Sequence, residues 1–301
     1  VIATPAVRLL RRHEIDERRY DDCVLTDPRP LPYGITWWLD IVTDHNWEVL
    51  VADDYRCVLP LPRVRRAGLL PTYLRPPFTQ QLGPFGAVEP AVVHSLLSHI
   101  PRKAQIALPL RGNLGAGSIP PRFATRPRVN LVLDLDRPFT ELATGFPKKL
   151  QAYLKKCTAD RLEPIPTESL VQVCRQELER HAGLTESNFL TLLQLVDETT
   201  RRKFGAAFQL REQGELLAVG FYPELAGRTI NLIAASTDRG RKRRGMARLL
   251  SLVMAGRSNR PGAVFDFEGS ELPGVRRFFE KFGTRNEDYL LIEERGYGFL
   301  T

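Results

Sequence analysis

Two stretches of the sequence carry residue types able to do chemistry. The first is "VFDFEG", in which Asp266 and Glu268 stand two apart. On a strand, side chains alternate, so both carboxylates would share one face with Val264, leaving Phe265 and Phe267 on the other. A carboxylate in an apolar cleft holds its proton more tightly than usual, which suits a base for an amine near neutral pH. The same carboxylates could instead pair with Arg276 or Arg277, or cap the next helix. The second stretch is "RGRKRRGMARLL", in which five of the first six residues are basic. A helix opening near Gly245 would leave its first N–H groups without intrahelical partners and carry partial positive charge there. Lys242, Arg243, Arg244, Gly245, Met246 and Ala247 would then form a cradle for a pyrophosphate, with Gly240 and Gly245 allowing close backbone approach. A solvated basic turn and a nucleic-acid patch are the alternatives. The latter lacks the interleaved aromatic residues that stack on bases.

Several elements must hold these two stretches. "AAFQLREQGELLAVGFYPELAGRTINLIAAST" reads as three strands turning at Gln213-Gly214 and Ala226-Gly227. The basic run follows and opens the helix "GMARLLSLVMAGRS". "AVFDFEGS" is a strand, "PGVRRFFEKFG" a short helix with proline in its first turn, and "DYLLIEE" a last strand. Upstream, "TESLVQVCRQELERHAG" is a helix with Thr167 as candidate cap and Gly183 beyond its last turn, and "ESNFLTLLQLVDETTRRKFG" is a second helix. The earlier half is rich in proline and strand patterns, among them "WEVLVADD", "YRCVLPLP" and "RPRVNLVLDLD". At 301 residues two domains are expected, here 1–138 and 139–301, in an α/β fold.

The stretch "LLAVGFYPELAGRTINLIAASTDRGRKRRGMARLLSLVM" resembles the acyl-CoA-binding core of the GNAT N-acyltransferase superfamily. There a strand pair leads into a Q/R-x-x-G-x-G/A loop and a helix. Gly245 and Ala247 match this loop, while Lys242 stands where Gln or Arg is usual. "FDFEGSELPGVRRFFEKFG" resembles the following strand and helix. Phe279 stands where that superfamily often has a tyrosine that protonates the leaving thiolate. "FPKKLQAYLKKCTADRL" and "FDFEGS" resemble the Fem-type branch, tandem-GNAT proteins that include peptidoglycan-bridge transferases using aminoacyl-tRNA. "PPFTQQLGPFG" resembles a signature of bacterial relatives of that tandem group. The resemblance implies two GNAT-like domains in tandem, each a mixed, mostly antiparallel sheet flanked by helices, with the second holding acetyl-CoA or another acyl-CoA as co-substrate. It implies direct transfer of the acyl group to an amine of a small molecule or peptide. Backbone N–H groups around Leu232, Ile233 and Ala234 would then polarise the thioester carbonyl. Aminoacyl-tRNA is the alternative donor, and an acyl-CoA-binding protein without catalysis is a third reading.

The remaining candidates are fewer. Tyr289 could replace the missing acid or simply pack in the core. Ser270 reads as a helix cap rather than a nucleophile, and Gln80 and Gln81 could line an acceptor pocket or a stiff proline-rich loop. The four cysteines form no CxxC pair and the five histidines no HExxH, so neither a disulfide framework nor a metal site is expected. The formal net charge of +8 favours an anionic or phosphate-bearing partner. No apolar run is long enough to span a membrane, and the N-terminus lacks a signal-peptide layout, so a cytoplasmic protein is expected.

Overall fold

The structure, a computed structural model, describes residues 5–64, 71–102, 104–268 and 272–294. The chain divides into two compact units, one of residues 1–129 and 288–301, the other of residues 130–287. The sequence places the division between 138 and 139 and gives everything after it to the second unit. The difference has a local cause. "RPRVNLVLDLD" is two strands rather than one, and they pair in different sheets.

In the first unit, β1 (Val7–Arg11), β2 (Trp47–Ala52), β3 (Cys57–Pro62) and β5 (Phe85–Gly86) form an antiparallel sheet in that order. A second sheet runs β4 (Thr72–Leu74), β6 (Gln105–Leu110), β16 (Tyr289–Glu294) and β7 (Phe123–Arg128). The helices α1 (Glu17–Leu25), α2 (Thr36–Thr43) and α3 (Pro90–Ser98) accompany them. Trp38, Trp47, Tyr20 and Tyr33 are fully buried. The "TQQ" of the proline-rich motif lies among them. Thr79, Gln80 and Gln81 are buried, Trp38 Nε1 donates to Thr79 Oγ1 at 3.3 Å, and Gln81 Nε2 donates to Gln80 Oε1 at 2.9 Å. These glutamines belong to the interior of the first unit.

The second unit is built on one sheet. Among the described residues its order is β15 (Arg285–Asn286), β8 (Leu131–Asp134), β14 (Val264–Asp266), β12 (Arg228–Ile230), β11 (Glu215–Leu225), β10 (Gly205–Glu212) and β9 (Glu163–Pro164), with β13 (Ile233–Ser236) also on β11. Both predicted hairpin turns form. Gln213 and Gly214 have φ of 53° and 80°, Ala226 and Gly227 of 47° and 81°, as two-residue turns between twisted strands require. The helices are α4 (Phe139–Leu142), α5 (Lys148–Leu154), α6 (Thr167–Ala182), α7 (Glu186–Arg201), α8 (Asp238–Lys242), α9 (Gly245–Ala255) and α10 (Pro273–Phe279). Helix α6 ends at Gly183 with φ 63°, as the sequence indicates, but Thr167 is its first residue and makes no side-chain cap, since the chain enters through Pro166. Helix α7 starts with a reciprocal cap between Thr185 and Asn188. Among the described residues no helix is long and apolar enough to cross a membrane.

Candidate functional site

Strands β12 and β13 are one run of chain with a break at Asn231-Leu232. The first part stays with β14, in parallel, through Ile230 opposite Asp266; the Asn231 N–H then donates to the Asp266 carbonyl at 2.8 Å. The second part stays with β11. Leu232 N–H donates to the Phe221 carbonyl at 3.2 Å, yet Phe221 is registered opposite Ile233. Two residues of one strand thus oppose one residue of its neighbour, a β-bulge. Beyond it β13 pairs with β11 alone among the described residues, so β14 and β13 part. Thr237 N–H donates to the Leu217 carbonyl. Counting back by the alternation of an antiparallel ladder, Ala235 and Ile233 face β11, and the Ala234 N–H faces the open edge.

The gap where the strands part is a cavity of about 320 Å³, lined by Asn231, Leu232, Ile233, Ala234, Met246, Phe267, Glu268, Val275, Phe278 and Phe279. The sequence reading named Leu232, Ile233, Ala234, Met246 and Glu268, and these five lie together here. A second cavity of about 480 Å³ lies by the β11–β12 turn, lined in part by Lys203, Glu224, Gly227 and Arg257. It shares no residue with the first. It sits where α7 and α9 end, and helix C-termini present carbonyls that disfavour anions. The smaller cavity brings together the strand run Asn231–Ala234, Glu268 and Met246 of the first turn of α9.

Asp266 and Glu268 part company. Strand β14 ends at Asp266, so the alternation does not reach Glu268, whose φ is 45°. A non-glycine residue in this left-handed region is uncommon and is held there by its surroundings. The holding group is Asp266 itself, whose Oδ1 accepts the Glu268 N–H at 3.1 Å. Asp266 is 1% exposed and its other oxygen accepts from Arg228 Nη1 at 2.5 Å. Arg228 also pairs with Glu287. Asp266 is thereby a positioning residue with its charge already matched, and the partner is Arg228 rather than Arg276 or Arg277. Arg276 is instead engaged with Glu280 on its own helix. Ser270 lies outside the described residues. Tyr289, the candidate surrogate acid, is on β16 in the first unit and is not among the residues that line this cavity.

The basic run also differs from a plain loop. Thr237 Oγ1 accepts the Gly240 N–H at 3.0 Å and starts α8, which contains Arg239 to Lys242. Arg244 then adopts a left-handed conformation, φ 47°, and stands as N-cap of α9 with no side-chain cap. The amides of Gly245, Met246 and Ala247 therefore open the helix without a side-chain acceptor, which suits an anion. The side chains around them are largely engaged. Arg239 pairs with Glu215, Arg241 with Glu177 and Asp238, and Arg243 with Glu212. Lys242 is exposed and makes no ion pair among the described residues, and the Arg244 guanidinium lies 4.8 Å from the centre of the Tyr153 ring.

The two glycines serve packing. A Cβ on Gly240 would stand 1.8 Å from the Leu217 carbonyl oxygen, and one on Gly245 2.9 Å from Leu217 Cβ. Their bareness lets α8 and α9 lie against β11. Gly240→Ala is therefore expected to cost more than the roughly 1–3 kcal/mol of ordinary overpacking, since a main-chain oxygen must move. Thermal unfolding of the pure variant checks this, and Gly245→Ala should be the milder of the two.

One group that the sequence reading passed over fixes the cradle. Arg248, in the apolar run "MARLLSLVM", is 3% exposed. Its guanidinium donates to Asp160 at 2.5 and 2.6 Å and to Glu212 at 2.8 Å. Tyr153 donates to the Arg243 carbonyl at 2.7 Å. These bonds clamp residues 153–160 and the end of β10 to the start of α9. A single charged residue inside the helix "GMARLLSLVMA" was the available signal. Asn231, in "TINLIA", is a comparable one. The Arg243 guanidinium, with Arg248, holds the Glu212 carboxyl at about 2, below the ordinary 4.5. A carboxyl depressed on folding stabilises the protein above its unfolded value and loses that contribution as pH falls through the folded value. Stability should therefore drop between about pH 4.5 and 2, and Glu212→Gln should flatten that part of a melting-temperature profile against pH.

Searched against models of protein families and against curated proteins, the sequence matches none. Solved structures share its fold. FemX is similar over 94% of this chain and 96% of its own, with TM-score 0.68 and 12% identity. A conserved protein of unknown function from Bacteroides thetaiotaomicron is similar over 93% and 97%, with TM-score 0.58 and 15% identity. The C-terminal domain assigned to a lysylphosphatidylglycerol synthetase of Agrobacterium fabrum is similar over 93% and 92%, with TM-score 0.57 and 13% identity. The chain shares the mixed α/β fold of FemX.

Proposed function

We propose that the chain is an N-acyltransferase that moves an acyl group from acyl-CoA to an amine, with its site in the second of two GNAT-like units. The observation that carries this reading is the meeting of an open strand edge, a helix N-terminus without a side-chain cap and a carboxylate around one apolar cavity. Each has a role. The pyrophosphate sits on the amides of Gly245 to Ala247, with Lys242 and Arg244 beside them. The pantetheine arm runs along the free edge of β13. The thioester carbonyl oxygen takes the Ala234 N–H, which stabilises the negative charge that develops on attack.

The amine nitrogen then bonds to the carbonyl carbon while its proton passes to Glu268. The C–S bond breaks, and the electron pair leaves on sulfur. Phe279 lines the cavity and has no proton to give. The thiolate is a weak base, its thiol having a pKa of about 8.5, so it leaves unprotonated and then takes a proton from Glu268 or from water.

The +8 charge supports a second donor, an aminoacyl-tRNA. The internal pairing of Arg239, Arg241 and Arg243 weighs against it, because that charge is spent within the protein. The test is release of free thiol from acetyl-CoA and longer acyl-CoAs over a panel of amines. Amine-dependent release supports the reading. Binding of CoA without release on any amine would make the chain a binding protein. Salt-sensitive retention of charged tRNA, with no CoA binding, would move the donor to tRNA.

A further inference from the structure

The cavity where β13 and β14 part is lined by ten residues, and all but Asn231 and Glu268 are apolar. One wall is a packed set of aromatic rings. Phe267 packs on Phe279 with ring centres 4.8 Å apart and on Phe282 at 5.5 Å, and Phe278 meets Phe282 edge-on at 5.6 Å. Rings at these separations hold one another in place, and Phe267 and Phe282 are fully buried, so the wall is formed before a guest arrives. Phe267, Val275, Phe278 and Phe279 offer that guest no side-chain hydrogen bond. Met246 borders the same space from α9 with a flexible thioether that follows the shape of its neighbour. Such a hollow gains by exchanging its water for hydrocarbon.

The size and place of the cavity say whose hydrocarbon that is. An apolar cavity of about 150 Å³ accepts benzene, six carbons. This one, at about 320 Å³, has roughly twice the volume, and an acetyl group would bring it a single methyl. In the reading above, the thioester carbonyl sits at the Ala234 N–H, and Ala234 is itself a lining residue. The acyl substituent is bonded to that carbonyl carbon and lies beside the wall. The acceptor need bring only its nitrogen to the same carbon. We infer that the donor carries a hydrocarbon acyl chain of about six to eight carbons, housed in this cavity, with the remaining volume left for the attacking nitrogen beside Glu268. This rests on the acyltransferase reading and names its donor class. Val275, Phe278 and Phe279 are then the residues that set chain length.

The experiment is calorimetric titration of free CoA and of acetyl-, butyryl-, hexanoyl- and octanoyl-CoA into the full chain. From acetyl to hexanoyl each added methylene should tighten binding about fourfold, the equivalent of ~0.8 kcal/mol per buried CH₂. Val275→Phe, which places a ring in the cavity, should weaken octanoyl-CoA binding about tenfold or more and leave free CoA bound as before. Unchanged affinity for free CoA and an unchanged melting temperature show that the variant folds. Equal affinities along the wild-type series, or a fall from acetyl to octanoyl, would overturn the inference and leave the acyltransferase reading standing. A rising series that Val275→Phe does not alter would overturn it as well, because the chain would then lie elsewhere. Absence of binding by CoA and by every acyl-CoA would count against the acyltransferase reading itself.

Discussion

Glu268→Gln is expected to lower turnover by about 10²–10⁴-fold on any amine that the wild type acylates, the range over which a positioned base contributes. The acyl donor should bind the variant as before, because Glu268 faces the acceptor and not the pyrophosphate. The substitution keeps the shape of the side chain and removes its basicity. It also keeps the main-chain N–H on Asp266, so the left-handed turn at Glu268 should survive. Asp266→Asn should act differently. It takes one charge from a buried pair with Arg228, and its effect should appear first in stability and only through that in rate. A Glu268→Gln enzyme that turned over at the wild-type rate would leave the cavity without a base.

The second large effect concerns the clamp at the start of α9. Arg248→Met should cost about 3–5 kcal/mol, the range for breaking one side of a buried ion pair. The side chains of Arg248 and Asp160 are only 3% and 9% exposed, and the variant leaves the Asp160 carboxylate without its two short bonds. In a unit of this size the melting temperature should fall by roughly 6–20 °C. The double variant Arg248→Met with Asp160→Leu should recover much of the loss, since an apolar pair of similar volume needs no desolvation. Recovery would show that Asp160 is penalised when left alone. An Arg248→Met protein as stable as the wild type would mean that the bonds to Asp160 and Glu212 contribute nothing.

The parts of the fold that sequence made legible were those set by local chemistry. Gln213-Gly214 and Ala226-Gly227 could be read because two-residue hairpin turns need positive φ, and Gly183 because a helix so often ends on a left-handed residue. The residues that the GNAT resemblance implied for the donor, Leu232, Ile233, Ala234 and Met246, lie around one cavity. What failed depended on partners far along the chain. That Asp266 is held in an ion pair is decided by Arg228, thirty-eight positions before it, and the alternation fails because strand β14 ends at Asp266, two residues before Glu268. The glycines of the basic run read as room for a phosphate, but their neighbour is Leu217, on a strand that packs beneath. The last strand read as part of the second unit, yet it pairs with β6 and β7, and no local pattern in "DYLLIEE" names those partners.

The most direct measurement of the central claim is calorimetric titration of acetyl-CoA and free CoA into the wild type and into Arg244→Glu. Arg244 is exposed and caps α9 without a side-chain bond, so the change should spare the fold while setting an anion beside the amides of Gly245 to Ala247. Both ligands are predicted to bind the wild type and to bind the variant at least about tenfold more weakly, a loss of roughly 1.4 kcal/mol. Absence of binding to the wild type, or equal affinity in the two proteins, would contradict the account.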